Sequence, residues 1–275
     1  MKGNFRTYQS THDGRTTTRT QVWLWPNLLS LDAPIVALLW QVLFARCFHG
    51  SLDGISVVLL ALAVWLIYAG DRMLDAWRGA VRTRRHAFYR RHWRTVGVLW
   101  SAALAIGGWL AWTQLSAALW VRGLAVAGLV GIYLAAVHGL PRFLGPGMKE
   151  AAVGFVFAAG VSLVAWPMVR TGADFLAIAL FCLLCWMNCV GIEDWERGVR
   201  ARSAVIYAAA VVALLAVLLL PDRRPVLACA ETASALGLVA LDRISERISP
   251  EAARVLADAV LLTPILFLSV AGKVA

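Results

Sequence analysis

The sequence contains little charge. Only 15% of its 275 residues are Asp, Glu, Lys or Arg, whereas ordinary soluble domains carry about 25%. Hydrophobic residues make up 60% of the chain, and the mean hydropathy is +0.71. Long apolar runs recur from one end of the chain to the other, which indicates a polytopic membrane protein rather than a soluble domain with a single anchor.

Other features that would define a protein class are also absent. The stretch 1–27 is polar and lacks the early apolar segment of a signal peptide, so we interpret it as a cytoplasmic tail. The five cysteines all lie in apolar stretches, which gives no disulfide framework. The histidines lie in loops or at predicted helix ends, which argues against paired haem ligands inside a bilayer.

The apolar runs predict an all-α fold with nine transmembrane helices. A span needs about 20 mostly apolar residues. The candidates lie at about 33–52, 55–78, 93–114, 117–138, 149–168, 173–196, 203–220, 225–243 and 250–272. Because no long loop interrupts them, we expect one transmembrane domain over 28–275, following the tail.

The basic residues predict the orientation of these helices. With the N-terminus in the cytoplasm, 20 of the Lys and Arg residues fall on the cytoplasmic side and 6 on the other. Such a bias is typical of cytoplasmic loops, so we do not interpret the net charge of +10 as a nucleic-acid site. We expect a multi-pass protein of a bacterial inner membrane, with its C-terminus on the opposite side.

A first acidic cluster lies where the second span meets a basic stretch, in IYAGDRMLDAWRGAVRTRR at 67–85. Asp71, Asp75 and Arg78 are spaced i, i+4, i+7 and share one helix face. Two carboxylates one turn apart favour a cation between them, and Mg²⁺ prefers carboxylate oxygens and often bridges to phosphate. The alternative is that nearby arginines simply neutralise the pair at the membrane surface.

A second cluster, WMNCVGIEDWERGVRAR at 186–202, ends the sixth span. Asn188, Glu193 and Glu196 offer further hard oxygen ligands. The alternative is an interfacial helix end, with Trp195 as an aromatic anchor and the acids paired to arginines.

Basic residues near the first cluster are candidates for binding phosphate. Seven arginines lie within 78–94, and guanidinium groups suit bidentate phosphate contacts. Lys149 opens the fifth span, where a helix N-terminus favours an anion. These cations could equally be topological determinants that touch lipid headgroups.

Together these motifs resemble the UbiA superfamily of intramembrane prenyltransferases. The motif NDxxDxxxD of that family, laid on IYAGDRMLD, places its last two aspartates on Asp71 and Asp75. Ile67 and Tyr68 replace its leading Asn-Asp pair. In the second family motif, Asn188 takes an aspartate position and Ile192-Glu193 matches an Ile-Glu pair. The stretches KEAAVGFVFAAG and RVLADAVLLTP, starting at 149 and 254, are also similar to relatives.

The resemblance implies nine helices around a central cavity and a site that faces the cytoplasm. It implies Mg²⁺-dependent transfer of an isoprenyl group from a prenyl diphosphate to a lipophilic acceptor, such as an aromatic compound, within the membrane. The implied catalytic residues are Asp71, Asp75 and Asn188. The implied metal ligands are Asp71, Asp75, Asn188, Glu193 and Glu196. The implied diphosphate ligands are Arg72, Arg78, Arg84 and Lys149. Tyr68 and Trp77 are expected to line the cavity and shield an allylic cation.

Other functions remain open at this point. The same family contains membrane terpene cyclases, in which the cation closes on itself. A non-catalytic protein that binds a lipid or a quinone is favoured by the missing Asn-Asp pair. A transporter would usually place polar groups near the middle of the spans, and here only Glu231 is a lone acid within an apolar span.

Overall fold

The computed structural model describes residues 22–77, 84–139, 147–198, 202–219 and 225–271. All regular elements in these ranges are helices. The α-helices are α1 (Trp25–Leu28), α2 (Asp32–Cys47), α3 (Gly54–Trp77), α4 (Arg84–Arg91), α5 (Trp93–Gln114), α6 (Ala117–Gly139), α7 (Met148–Ser162), α8 (Gly172–Glu196), α9 (Arg202–Ala216), α10 (Pro225–Ile244), α11 (Pro250–Val260) and α12 (Pro264–Ala271). The predicted all-α class is confirmed for the described part of the chain.

Six helical segments of the described chain are long and apolar enough to cross a membrane. They are α3, α5, α6, α8, α10 with its 3-10 extension, and α11 together with α12. The chain is therefore a multi-pass membrane protein. Three predicted spans correspond to shorter helices: α2 has 16 residues, and α7 and α9 have 15 each. At 1.5 Å per residue each is only about 24 Å long, less than the roughly 30 Å of a hydrocarbon core.

Helix α8 occupies the centre of the bundle and packs against α7, α9, α10 and α11. Its Phe181 is fully buried against Trp40 and Phe44 of α2, with ring centroids 4.5 and 5.5 Å away. The start of α8 is fixed by a capping box, in which Thr171 and Asp174 satisfy each other's backbone N–H groups. The central helix is thus defined by local capping at one end and by aromatic packing along its length.

The last predicted span is broken, whereas the sequence was expected to form one continuous helix over 250–272. Helix α11 ends at Val260 and α12 begins at Pro264, because proline lacks the N–H group that would continue the helix. The break leaves the Leu261 carbonyl outside a helical ladder, and the Trp40 Nε1–H donates to it at 2.9 Å. The broken helix is therefore attached to α2 by a buried hydrogen bond.

The basic stretch after α3 forms the short helix α4. Its Tyr89 is buried, and the hydroxyl groups of Tyr89 and Ser30 lie 2.8 Å apart. Its Phe88 packs edge-on against Trp25 of α1. These contacts hold α4 across one end of the bundle. We call this end, where α3 and α8 finish and α7 begins, the charged end.

Gly154 of α7 allows close packing against α8, and its replacement by alanine tests that packing. A Cβ there would lie 2.9 Å from the Trp186 backbone nitrogen and 3.1 Å from the Cys182 carbonyl oxygen. We expect Gly154→Ala to destabilise the fold by about 1–2 kcal/mol, since overpacking outweighs the better helix propensity. Gly160→Ala in the same helix meets open space and should be neutral or slightly stabilising. Thermal unfolding of both variants in detergent measures the difference, and equal midpoints would contradict this packing.

Candidate functional site

One cavity of about 570 Å³ extends from the charged end into the bundle between α3, α6, α7 and α8. A single face of α3 lines it, and this face is apolar at one end and acidic at the other. Leu60, Val64 and Ile67 are followed, at helical spacing, by Asp71 and Asp75. The cavity therefore combines an apolar chamber with a charged mouth.

The two acidic clusters predicted from the sequence meet at this mouth. Asp71 and Asp75 contribute from α3, and Glu193 and Glu196 contribute from α8. Asn188 lines the same cavity one to two turns deeper. These residues could be predicted from the sequence because they lie at the ends of two apolar spans.

Each of these four carboxylates already has a basic partner. The Asp71 carboxylate lies 3.1 Å from His138 Nε2, and the Asp75 carboxylate lies 3.7 Å from His86 Nε2. The Glu196 carboxylate contacts both Arg254 and, at 4.0 Å, Arg85. Glu193 pairs with Arg197 of its own helix. Within the described ranges, no three His, Cys, Asp or Glu side chains converge as a ready ligand set for a metal ion.

Three guanidinium groups, which we call the arginine cluster, line the mouth beside these acids: Arg72, Arg85 and Arg254. Arg72 and Arg254 are only 6% and 4% exposed. Burial, and then the neighbouring Arg72, lower the pKa of Arg85 to about 10. The Nε atoms of Arg85 and Arg254 are buried and lack a hydrogen-bond partner among the described residues. The cluster thus has N–H donors to spare, and among the described residues Lys149 adds a fourth permanent cation to the lining.

Two predicted residues lie outside the lining of the cavity, and a third falls outside the described part of the chain. Trp77 is 83% exposed, so the prediction that it lines the cavity is wrong. It follows Asp75 by two residues, which turns it about 200° away on the helix. The side chain of Arg84 is 61% exposed and pairs with Glu251 at 3.3 Å, and it is not part of the lining. Arg78 lies outside the described residues.

Tyr68 is the predicted aromatic residue that does line the cavity. The Arg72 guanidinium carbon lies 6.0 Å from the centre of its ring, and Phe157 packs against it edge-on at 6.4 Å. The ring thus lies at the boundary between the charged mouth and the apolar chamber.

Four further residues of the site were not assigned an individual role from the sequence: Asp32, Arg85, Arg254 and Asp258. Asp32 and Asp258 both line the cavity. Asn188 Nδ2 donates to Asp258 Oδ1 at 3.2 Å. The i, i+4 spacing of Arg254 and Asp258 at the start of the last span was the available signal, because it places both on one helix face.

The burial of His86 makes the stability of the protein depend on pH. Burial of its ring, and then the nearby Arg85, lower the pKa of His86 below its usual value of 6.5. The unfolded chain therefore binds this proton more readily, so stability should fall as the pH drops below about 6.5. We expect His86→Gln to flatten the pH dependence of the unfolding midpoint between about pH 6.5 and 5. His92→Gln, at an exposed position nearby, is the control, and the same pH profile in both variants would contradict the assignment.

Comparisons of this chain with protein-family models, with curated proteins and with solved structures find no match. What the cavity can hold therefore has to be argued from its lining. Its volume falls within the roughly 300–1,000 Å³ of typical ligand sites. Its chamber suits an apolar chain and its arginine cluster suits an anionic head, so the lining fits an amphiphile that carries phosphate.

Proposed function

We propose that this chain is a divergent UbiA-like protein that transfers an isoprenyl group from a prenyl diphosphate to a lipophilic acceptor in the membrane. The observation that supports this most strongly is the α3 face that runs from Leu60 through Tyr68 to Asp75 along one cavity. A prenyl diphosphate likewise has an apolar chain at one end and a charged group at the other. The proposal includes nine helices in a bacterial inner membrane, with the charged end in the cytoplasm as the distribution of basic residues predicts.

The arginine cluster is the proposed site of the diphosphate. Buried guanidinium groups with free N–H donors make strong, directional bonds to phosphate oxygens. Arg72, Arg85 and Arg254 would approach from α3, α4 and α11, and Lys149 from the start of α7. Positive charge on three sides would stabilise the negative charge that develops on the leaving group.

The charge balance of the lining supports a metal ion as a companion of the diphosphate. Among the described residues, seven carboxyl groups and four permanent cations line the cavity, so a diphosphate alone would add to a negative excess there. Mg²⁺ is commonly held by one or two carboxylates plus substrate phosphates, and Asp71 and Asp75 fit that role without a third converging acid. Bound there, Mg²⁺ would neutralise charge on the phosphate oxygens.

A non-catalytic binding protein is the second candidate. It is favoured by the partners that Asp71 and Asp75 already have in His138 and His86, because a metal ion would have to compete with both contacts. Such a protein would bind the same amphiphile and leave it intact.

Substitution of the first acidic pair separates these two functions. We expect purified wild-type protein with Mg²⁺, geranylgeranyl diphosphate and a lipid extract to release pyrophosphate. The variant Asp71→Asn/Asp75→Asn should lose at least about 100-fold of that rate, as enzymes do when an electrostatic contact to the leaving group is removed. The control is Asp53→Asn at the opposite end of α3. Asp53 accepts a hydrogen bond from the Ser56 backbone N–H, and asparagine caps a helix as well as aspartate does, so this variant should retain the activity.

Two other outcomes would redirect the proposal. Tight binding of geranylgeranyl diphosphate without pyrophosphate release in the wild type would support the non-catalytic function. Release at the same rate in the double variant and in the wild type would contradict the role of the acidic pair.

A further inference from the structure

A small recess opens from the inner wall of the cavity. Its volume is about 30 Å³, which exceeds the roughly 10–15 Å³ that one water-sized group needs. The recess shares Tyr68, Asn188 and Asp258 with the main cavity. The rest of its wall is almost entirely apolar: Ala33, Val36, Val153, Phe157, Cys185, Cys189 and Leu261.

The polar side of this recess is incompletely satisfied. Asn188 is only 7% exposed, and its Nδ2 donates to Asp258. Its Oδ1 is buried and has no hydrogen-bond partner in the part of the chain that the structure describes. A buried acceptor without a donor costs free energy, so this atom favours a ligand that brings an O–H or N–H group.

The Asp258 carboxyl group is held in place beside Asn188. Asp32 of α2 lines the same cavity. Asn27 in turn donates to Asp32 at 2.6 Å. The Asn188–Asp258 hydrogen bond therefore joins α8 to α11 and orients both side chains.

We infer that this recess is the subsite for a hydroxyl group on the second, lipophilic substrate. The hydroxyl would donate to Asn188 Oδ1, lie against Asp258, and leave the remainder of its molecule in the apolar chamber. This inference rests on the proposed function, which it refines by naming the acceptor as a hydroxyl-bearing apolar compound. It assigns Asn188 to acceptor binding instead of to the metal.

Phenol and toluene test the subsite without any phosphate. They are similar in shape, and only phenol has a hydroxyl group. Thermal stability of the protein in lipid nanodiscs would be followed against increasing concentrations of each probe, for the wild type and for Asn188→Leu, since a ligand that binds the folded state raises its stability. Comparing one probe across two variants cancels its partition into lipid.

The expected result is a selective loss of phenol binding. The apparent affinity for phenol should fall about tenfold in Asn188→Leu, the value of one buried hydrogen bond, while toluene binding stays within about twofold. Asn188→Asp, which keeps an acceptor oxygen, should retain the preference for phenol. If the leucine variant does not fold, Asn188→Ala provides the same comparison of the phenol-to-toluene ratio.

Equal responses to phenol in the wild type and in Asn188→Leu would overturn the inference and leave a recess filled by water alone. Because neither probe resembles a prenyl diphosphate, the outcome is independent of whether the arginine cluster binds one. A positive result with phenol and no binding of geranylgeranyl diphosphate would retain the subsite and reject the proposed function.

Discussion

Replacing Arg85 by glutamine is expected to weaken the binding of geranylgeranyl diphosphate by about 50-fold, in line with the loss of a charge-assisted hydrogen bond. Arg85 lines the cavity, and its side chain is only 18% exposed. Its buried Nε has no partner among the described residues. Desolvated guanidinium groups interact with phosphate more strongly than exposed ones, because less water screens the charge.

The neighbouring Arg84 is a matched control for this substitution. It lies on the same short helix, but its side chain is 61% exposed and pairs with Glu251. Arg84→Gln removes the same charge from the same end of the protein, and we expect less than about a twofold change in affinity, as for other exposed ion pairs. Isothermal titration at fixed ionic strength measures both variants. Equal losses of affinity in the two variants would mean that the diphosphate is attracted only by the overall positive charge of this surface and does not contact Arg85.

The second large effect is expected from Glu196→Gln, which should lower the free energy of unfolding by about 2 kcal/mol. Glu196 contacts both Arg254 and Arg85, and Arg254 is only 4% exposed. Removing one partner of a buried ion pair leaves an uncompensated charge and typically costs about 3–5 kcal/mol. The side chain of Glu196 is 28% exposed, so the lower value is expected.

The same variant should respond more strongly to a phosphate ligand. Without Glu196 the arginine cluster has lost its nearest anion, and inorganic pyrophosphate should restore part of the lost stability. Glu193→Gln is the control, because Glu193 and Arg197 form an exposed pair worth at most about 1 kcal/mol. An unchanged response of Glu196→Gln to pyrophosphate would indicate that the cluster does not bind phosphate.

Much of the fold could be predicted because lipid imposes a simple rule on the sequence. Apolar runs of span length must be helical, and each of the nine predicted spans contains an α-helix in the described part of the chain. Local exceptions depended on single residues and were harder to foresee. Pro264 divides the last span, and α4 forms in a stretch that was interpreted only as a run of charge, because Tyr89 and Phe88 find partners in a segment distant in sequence.

The candidate site was predictable only where its residues share a helix. Asp71 with Asp75, and Glu193 with Glu196, were found from spacing along one chain segment, and all four line the cavity. The pairing of Asp71 with His138, and of Glu196 with Arg254, joins residues more than 50 positions apart. Such contacts depend on how the helices pack, so hydropathy and spacing carry no signal for them.

The most direct test of the proposed function compares three ligands of the wild-type protein: geranylgeranyl diphosphate, geranylgeraniol and inorganic pyrophosphate, each with Mg²⁺. If the charged mouth and the apolar chamber act on one molecule, the diphosphate should bind at least about 100-fold more tightly than either of the other two, because both halves are engaged at once. An affinity for the diphosphate no greater than that for geranylgeraniol would contradict the account, since the arginine cluster would then contribute nothing to binding.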